Sequence, residues 1–369
     1  MELKYYKELD GLRGFAALIV VFFHFMPDAS TNVSPLIHAL HKLAVFGQTG
    51  VTLFFVLSGF LITRILLKAK KSKHYFRNFY VKRILRIFPL YYFALLIMYF
   101  VTPLFITNSP YSFKNSWMYW AYLQNISETF NLKARGPLHF WSLAVEEHFY
   151  LFWPIIVYYT TTSKLLRVIG GIIGVAFVCR YLLLHFGYGT FYFTFSVMDA
   201  LAIGGFLAWY EARKPVIKLN FNLIIIVSLL LMIPTWLVTG GKGYDWVQII
   251  KLPIISIFYM AIIGKLITAK SFLNSIFGSR SLSYIGKISY GLYVFHPLCF
   301  IFYYYYFPGN NIWINAICCF SISIIIATIS FYGFEIHFLK LKRYFETAGW
   351  REKSALPIDS NYPGLKTEF

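Results

Sequence analysis

Residues 9–27 read LDGLRGFAALIVVFFHFMP, an apolar run of helix length that carries Asp10 and Arg13 near its start and His24 near its end. Arg13 and His24 are eleven residues apart. At 100° per residue that is three turns plus about 20°, so both side chains leave one helix face roughly 16 Å apart. One face therefore presents a cation at one depth and a titratable base at another. Asp10, three residues before Arg13, is a partner for it on that face. An ionisable group inside an apolar span costs roughly 2.5 to 3.5 kcal/mol on insertion scales, which points to a lined cavity rather than to lipid. On an isolated span the same residues would serve as an anchor at one membrane surface and a polar group reaching the other.

Residues 138–154, LHFWSLAVEEHFYLFWP, add His139, Ser142, Glu146, Glu147 and His148. Neighbours on a helix point about 100° apart, so at most one glutamate shares a face with His139 or Ser142, and the other holds an adjacent helix. A carboxylate bonded to an imidazole orients it and raises its basicity, which suits a general base. Glu147 is the preferred partner for His24, with Glu146 the alternative; a structural ion pair or interhelical bond is the plainer role for either. In FYVKRILRIFPLYYF, residues 79–93, Arg83 and Arg86 stand one turn apart. Arginine forks bind phosphate bidentately, so this pair is a candidate phosphate clamp as well as an ordinary basic flank. The lysines between residues 68 and 73 read as leaflet electrostatics. In SYGLYVFHP, residues 289–297, Pro297 frees a backbone carbonyl, and His296 either faces the site or bonds across helices. Ser58 and Gly59 are small enough to let two helices approach closely.

The elements that must hold these groups are membrane helices. The 369 residues are 58% hydrophobic and 13% charged, with a mean hydropathy of +0.61, whereas soluble proteins carry about 25% charge. Ten runs are long enough to cross the hydrocarbon: 9–27, 45–67, 84–106, 141–160, 165–186, 191–210, 222–239, 252–268, 288–307 and 312–335. The net charge of +19 does not indicate nucleic acid, because about 27 of the 34 Lys and Arg fall in alternate loops, which the positive-inside rule assigns to the cytoplasm. Both termini then lie inside, Arg13 near the inner face, and His24 toward the outer one. No cleavage site follows the first run, so it stays as a span. Cys179, Cys299, Cys318 and Cys319 sit inside apolar runs without metal-ligand spacing. Trp and Tyr in SWMYWAY, within the outer segment 107–140, favour an interfacial or re-entrant piece.

Taken together the motifs resemble the acyltransferase 3 family of membrane proteins. The likeness rests on Arg13 and His24 in LDGLRGFAALIVVFFHF, FFVLSGFLI at 54–62, the Arg83/Arg86 pair, YLQN at 122–125, HFWSLAVEEHFYLFWP from His139, and SYGLYVFHP ending at Pro297, in that order along nearly the whole chain. It implies a ten-helix enzyme that takes an acyl group, usually acetyl, from cytoplasmic acyl-CoA and places it on a carbohydrate or related acceptor outside. His148 departs from the pattern, since family members commonly carry Gln there. Because the chain ends soon after the tenth run, it resembles the stand-alone form without an esterase-like C-terminal domain.

The expectation is an all-α integral membrane protein, a bundle of about ten transmembrane helices with both termini cytoplasmic. A transmembrane domain spans 1–340 and a cytoplasmic tail 341–369. The expected function is a multi-pass O-acyltransferase of the cell membrane, of the bacterial inner membrane type. His24, Glu147, Glu146 and Arg13 are its catalytic candidates. Arg83, Arg86, Asp10, Ser142, His139 and His296 are its donor- and substrate-binding candidates. No metal or bound cofactor is expected; the partners are acyl-CoA, an extracytoplasmic carbohydrate or lipid-linked glycan, and the bilayer. A transporter or flippase of lipid-linked sugars is the competing class, and it would show matching broken helices in two halves. A structural scaffold is the third.

Overall fold

The computed structural model describes residues 4–26, 34–111, 113–114, 116–213, 218–239, 246–309 and 311–345, and it is all-helical over them. The expected tail lies outside the described residues from 346 onward. The first half comprises α1 (Lys7–Phe25), α2 (Pro35–Val45), α3 (Thr49–Ala69), α4 (Tyr75–Leu96) and the short α5 (Thr102–Phe105). Two short pieces, α6 (Trp117–Trp120) and α7 (Gln124–Phe130), occupy the segment read as interfacial. Then follow α8 (Trp141–Tyr159), α9 (Thr162–His185), α10 (Thr194–Arg213), α11 (Phe221–Thr239) and α12 (Gln248–Thr268). The last are α13 (Phe272–Phe277), α14 (Arg280–Tyr306), α15 (Ile312–Ser330) and α16 (Ile336–Leu341).

Side-chain caps set several of these starts. Thr161 and Ser279 accept from the backbone N–H three residues on, and Asn311 from the N–H of Trp313, satisfying donors that the first turn leaves open. At the far end of α8, Lys70 Nζ donates to the carbonyls of Val157 and Thr160 at 2.8 and 2.5 Å, a cation placed where the helix dipole is negative.

Among the described residues six stretches are long and apolar enough to cross a membrane: Pro35–Ala69, Tyr75–Phe105, Thr162–His185, Gln248–Thr268, Arg280–Tyr306 and Ile312–Phe345. The other four expected spans are also helical, as α1, α8, α10 and α11, but α1 and α8 carry charged groups that lower their hydropathy and α11 is short. Two boundaries differ appreciably from expectation. The run placed at 84–106 begins at Tyr75, because the basic stretch before it continues the same helix, and the run placed at 288–307 begins at Arg280.

Helix directions follow from the contacts. A Cβ on Gly14 would overlap the Leu282 carbonyl and stand 2.7 Å from the Gly286 nitrogen, while His24 meets His296 ten residues further along both chains, so α1 and α14 run parallel. Tyr75, Tyr80 and Tyr91 of α4 meet Pro154, Leu151 and Phe140, so α4 and α8 are antiparallel. Helix α3 opposes α1, since Gly50 lies against Ala16 and Val20 while Arg64 reaches the Lys4 carbonyl. Gly59 and Gly204 let α3 and α10 touch backbone to backbone: a Cβ on either would overlap a carbonyl oxygen of the other helix. Between α9 and α10 lies a buried ion pair, Arg180 Nη2 to Asp199 at 2.8 Å, with Arg180 Nη1 donating to the Ser196 carbonyl at 2.7 Å.

Candidate active site

At one depth of the bundle, α1, α3, α4, α8 and α14 line a cavity of about 100 Å³. Arg13, Arg83 and Arg86 supply its cations, Glu146 and Glu147 its carboxylates, and Ser58, Ser142, Ser289, Tyr150, Tyr290 and Tyr293 its hydroxyls. The helical rows explain the convergence. On α8, Ser142, Glu146 and Tyr150 recur every four residues and so share a face; on α14, Ser289 and Tyr290 precede Tyr293 by four and three residues and so flank it on either side of one face.

Arg83 is buried and lies 5.7 Å from the ring centres of both Phe79 and Tyr150, so aromatic faces offset part of its desolvation. Arg13 is buried beside Asp10 at 3.8 Å, as its spacing implied, and Asp10 also accepts from the Tyr5 hydroxyl. Glu146 accepts from the Tyr150 hydroxyl at 2.9 Å and lies within Coulomb range of all three arginines. Glu147 is different: its Oε1 is buried with no hydrogen-bond partner. A smaller cavity shares Arg13, Arg86 and Tyr290 and adds Lys287 and Glu335, the latter carried on the π-helical turn Phe331–Glu335.

Three imidazoles gather beyond the larger cavity: His296 about one turn past Tyr293 on α14, His139 on the 3-10 turn Leu138–Phe140 before α8, and His24 near the end of α1. The ring centres of His24, His139 and His296 are separated by 5.0 Å (24 to 296), 5.3 Å (139 to 296) and 6.3 Å (24 to 139). Their bonds fix two tautomers. His296 Nδ1 stands 3.1 Å from the Leu292 carbonyl, which only accepts, so Nδ1 carries the proton and Nε2 is the acceptor. His24 Nδ1 faces two acceptors, the Val20 carbonyl at 3.0 Å and His296 Nε2 at 3.2 Å, so it too is protonated. The lone pair of His24 is thereby left on Nε2, and the residue is exposed. His139 Nε2 donates to the Val294 carbonyl at 3.3 Å. Among the described residues no His, Cys, Asp or Glu group is arranged to hold a metal ion.

The candidates thus fall into two groups. Arg13, Arg83, Arg86, Ser142, Glu146 and Glu147 line the cavity; His24, His139 and His296 form the cluster beyond it; Asp10 backs Arg13. The carboxylate expected to orient His24 stands elsewhere, because Glu146 and Glu147 follow His139 by seven and eight residues of helix, roughly 10 to 12 Å. His296 occupies the orienting place instead. Sequence reasoning missed Tyr150, Tyr290 and Tyr293, since 29 tyrosines give no spacing signal that singles out three. It also left Gln124 and Asn125 without roles. Gln124 donates to the Phe140 carbonyl and Asn125 to Thr194, which also bonds His148, and these bonds tie the segment before α8 to its neighbours.

A family model described as an acyltransferase domain, that of acyltransferase 3, matches residues 6–333. The chain belongs to this acyltransferase family. Among its relatives, the peptidoglycan O-acetyltransferase OatA of Listeria monocytogenes is 27% identical over 323 residues, covering 79% of this chain and 49% of that protein. The O-acetyltransferase OatA of Staphylococcus aureus is 26% identical over 332 residues, covering 83% and 53%. The acyltransferase 3 chain therefore spans about half the length of these curated relatives. No solved structure matches it.

Proposed function

We propose that this acyltransferase moves an acyl group, acetyl by preference, from acyl-CoA to a hydroxyl of an extracytoplasmic carbohydrate or lipid-linked glycan. The observation that carries the reading is the stacking of an arginine-lined cavity below an imidazole cluster on the same helices. Relatives named O-acetyltransferases, one of them acting on peptidoglycan, support the acetyl donor and the carbohydrate acceptor. In this reading about ten helices cross the cell membrane, including α1, α8, α10 and α11, with both termini cytoplasmic. The arginine end then faces the cytoplasm and the imidazole end faces out, as the distribution of Lys and Arg favours.

Arg83 and Arg86 hold the donor's phosphates, and the pantetheine arm runs up the cavity past Arg13. The partnerless Glu147 oxygen is suited to accept from an amide N–H of that arm. At the upper end His24 Nε2 removes the acceptor's hydroxyl proton as its oxygen bonds to the thioester carbon. The C–S bond then breaks, and the imidazolium returns the proton to the departing CoA thiolate. His296, accepting from His24 Nδ1–H, keeps the lone pair on Nε2 and is a positioning residue.

The test compares envelope carbohydrate by mass spectrometry from cells carrying wild type or His24→Ala at equal expression. Loss of the acyl mass in the variant is expected; unchanged acylation removes His24 as the base. In purified protein, Arg83→Lys should raise the KM for acyl-CoA by about tenfold, because an ammonium cannot reproduce a bidentate fork. A wild-type KM would remove the clamp.

A further inference from the structure

None of His24, His139 and His296 lines the cavity, and the residues at its upper end are Ser142, Tyr293 and Phe54. Tyr293 belongs to both compartments. It lines the cavity on one side, while its ring centre lies 5.4 Å from His139 and 6.0 Å from His296 on the other. Phe54 packs edge-on against the same ring at 6.3 Å. The ring is latched by its hydroxyl, which donates to the His139 carbonyl at 2.5 Å and accepts from Ser142 Oγ at 2.6 Å.

The helical ladder of α14 is interrupted at this turn, and the freed carbonyl faces the His139 and His296 side chains. Pro297 has no N–H, so the carbonyl of Tyr293, four residues earlier, loses its helical bond. A ring held by two replaceable hydrogen bonds on such a turn is a hinged partition. Both bonds can be replaced by bonds to water or donor, so breaking them is within reach of the binding energy of a large donor.

We propose that Tyr293, latched to Ser142 and the His139 carbonyl, is the gate between the donor cavity and the imidazoles. It swings aside only when a short acyl thioester fills the cavity beneath it. The proposal rests on acyl-CoA being the donor. Its chemical purpose is to keep water and thioester apart at His24. With the gate lost, water takes the acceptor's place: its oxygen bonds to the acyl carbon, the C–S bond breaks, and free carboxylic acid and CoA thiol are released. The gate also limits acyl length, because the acyl chain must pass the Tyr293 ring, which Phe54 packs against, to reach the imidazoles.

The experiment uses the full chain in liposomes, with acetyl-CoA and butyryl-CoA as probes and thiol release as the readout, with and without an acceptor glycan extract. Tyr293→Ala should raise acceptor-independent release from acetyl-CoA at least fivefold over wild type and shift preference toward butyryl-CoA. Tyr293→Phe and Ser142→Ala keep the ring but cut the latch, so they should raise release about twofold to threefold. They also serve where the alanine variant fails to fold. Wild-type leakage and acyl preference in the folded variants would overturn the gate while leaving the donor reading intact. Absence of thiol release from wild type with acceptor present would remove the donor reading, and the gate with it.

Discussion

At the scale of single residues, the tautomer of His24 is held by two acceptors, the Val20 carbonyl and His296, neither of them an acid. His296 contributes an acceptor only because its other nitrogen is committed to the Leu292 carbonyl. His296→Phe keeps the ring and removes the acceptor, so kcat should fall by roughly 10- to 100-fold while the KM for acyl-CoA stays within about twofold. His296→Gln, which retains an acceptor oxygen, should recover part of the loss. Steady-state kinetics on the purified variants check this, and a KM effect equal to the kcat effect would place His296 in binding instead. The sequence made His24 and Arg13 visible because charge inside an apolar run is expensive. It could not show which partner His24 takes, since a spacing on one helix says nothing about rotation against another. His296 was ambiguous for that reason, and Tyr293 was hidden by the abundance of tyrosine.

At the scale of helices, the backbone contacts come from small residues and the fixed depths from polar bonds. Gly59 against Leu201 was foreshadowed by the SerGly pair in α3, whereas the Arg180–Asp199 pair between α9 and α10 was not. Each of its residues falls within an apolar run, and neither stands at a spacing that pairs it with the other. Breaking a buried pair leaves one charge uncompensated at a cost of roughly 3 to 5 kcal/mol, while replacing both with apolar residues is close to neutral. Arg180→Met alone should therefore lower the melting temperature in detergent sharply, and Arg180→Met with Asp199→Leu should restore most of it. Thermal unfolding of the two variants decides, and equal losses would make the pair something other than a structural tie. The helical character of the ten expected spans was legible from apolar length. The early start of α4 at Tyr75 was not, because a charged helix lacks the hydropathy signal that reveals its neighbours.

At the scale of the whole molecule, the distribution of Lys and Arg is the strongest statement about orientation. It predicts that a tag placed at the C-terminus is protected from protease added to intact cells and is cut once the membrane is permeabilised. Cleavage in intact cells would invert the topology and put the arginine end outside. The parallel pair α1 and α14 then acts as a ruler with two edges. Gly14 against Gly286 marks one graduation and His24 against His296 another, ten residues along both helices. Deleting one residue between the marks on either edge would rotate everything beyond it by about 100° and draw it back about 1.5 Å, moving one imidazole off the other. Length changes within the family should accordingly be confined to loops, or occur in both helices together. The distance between where a donor is gripped and where it reacts is thus a property of a pair of segments more than 250 positions apart, inherited as one unit.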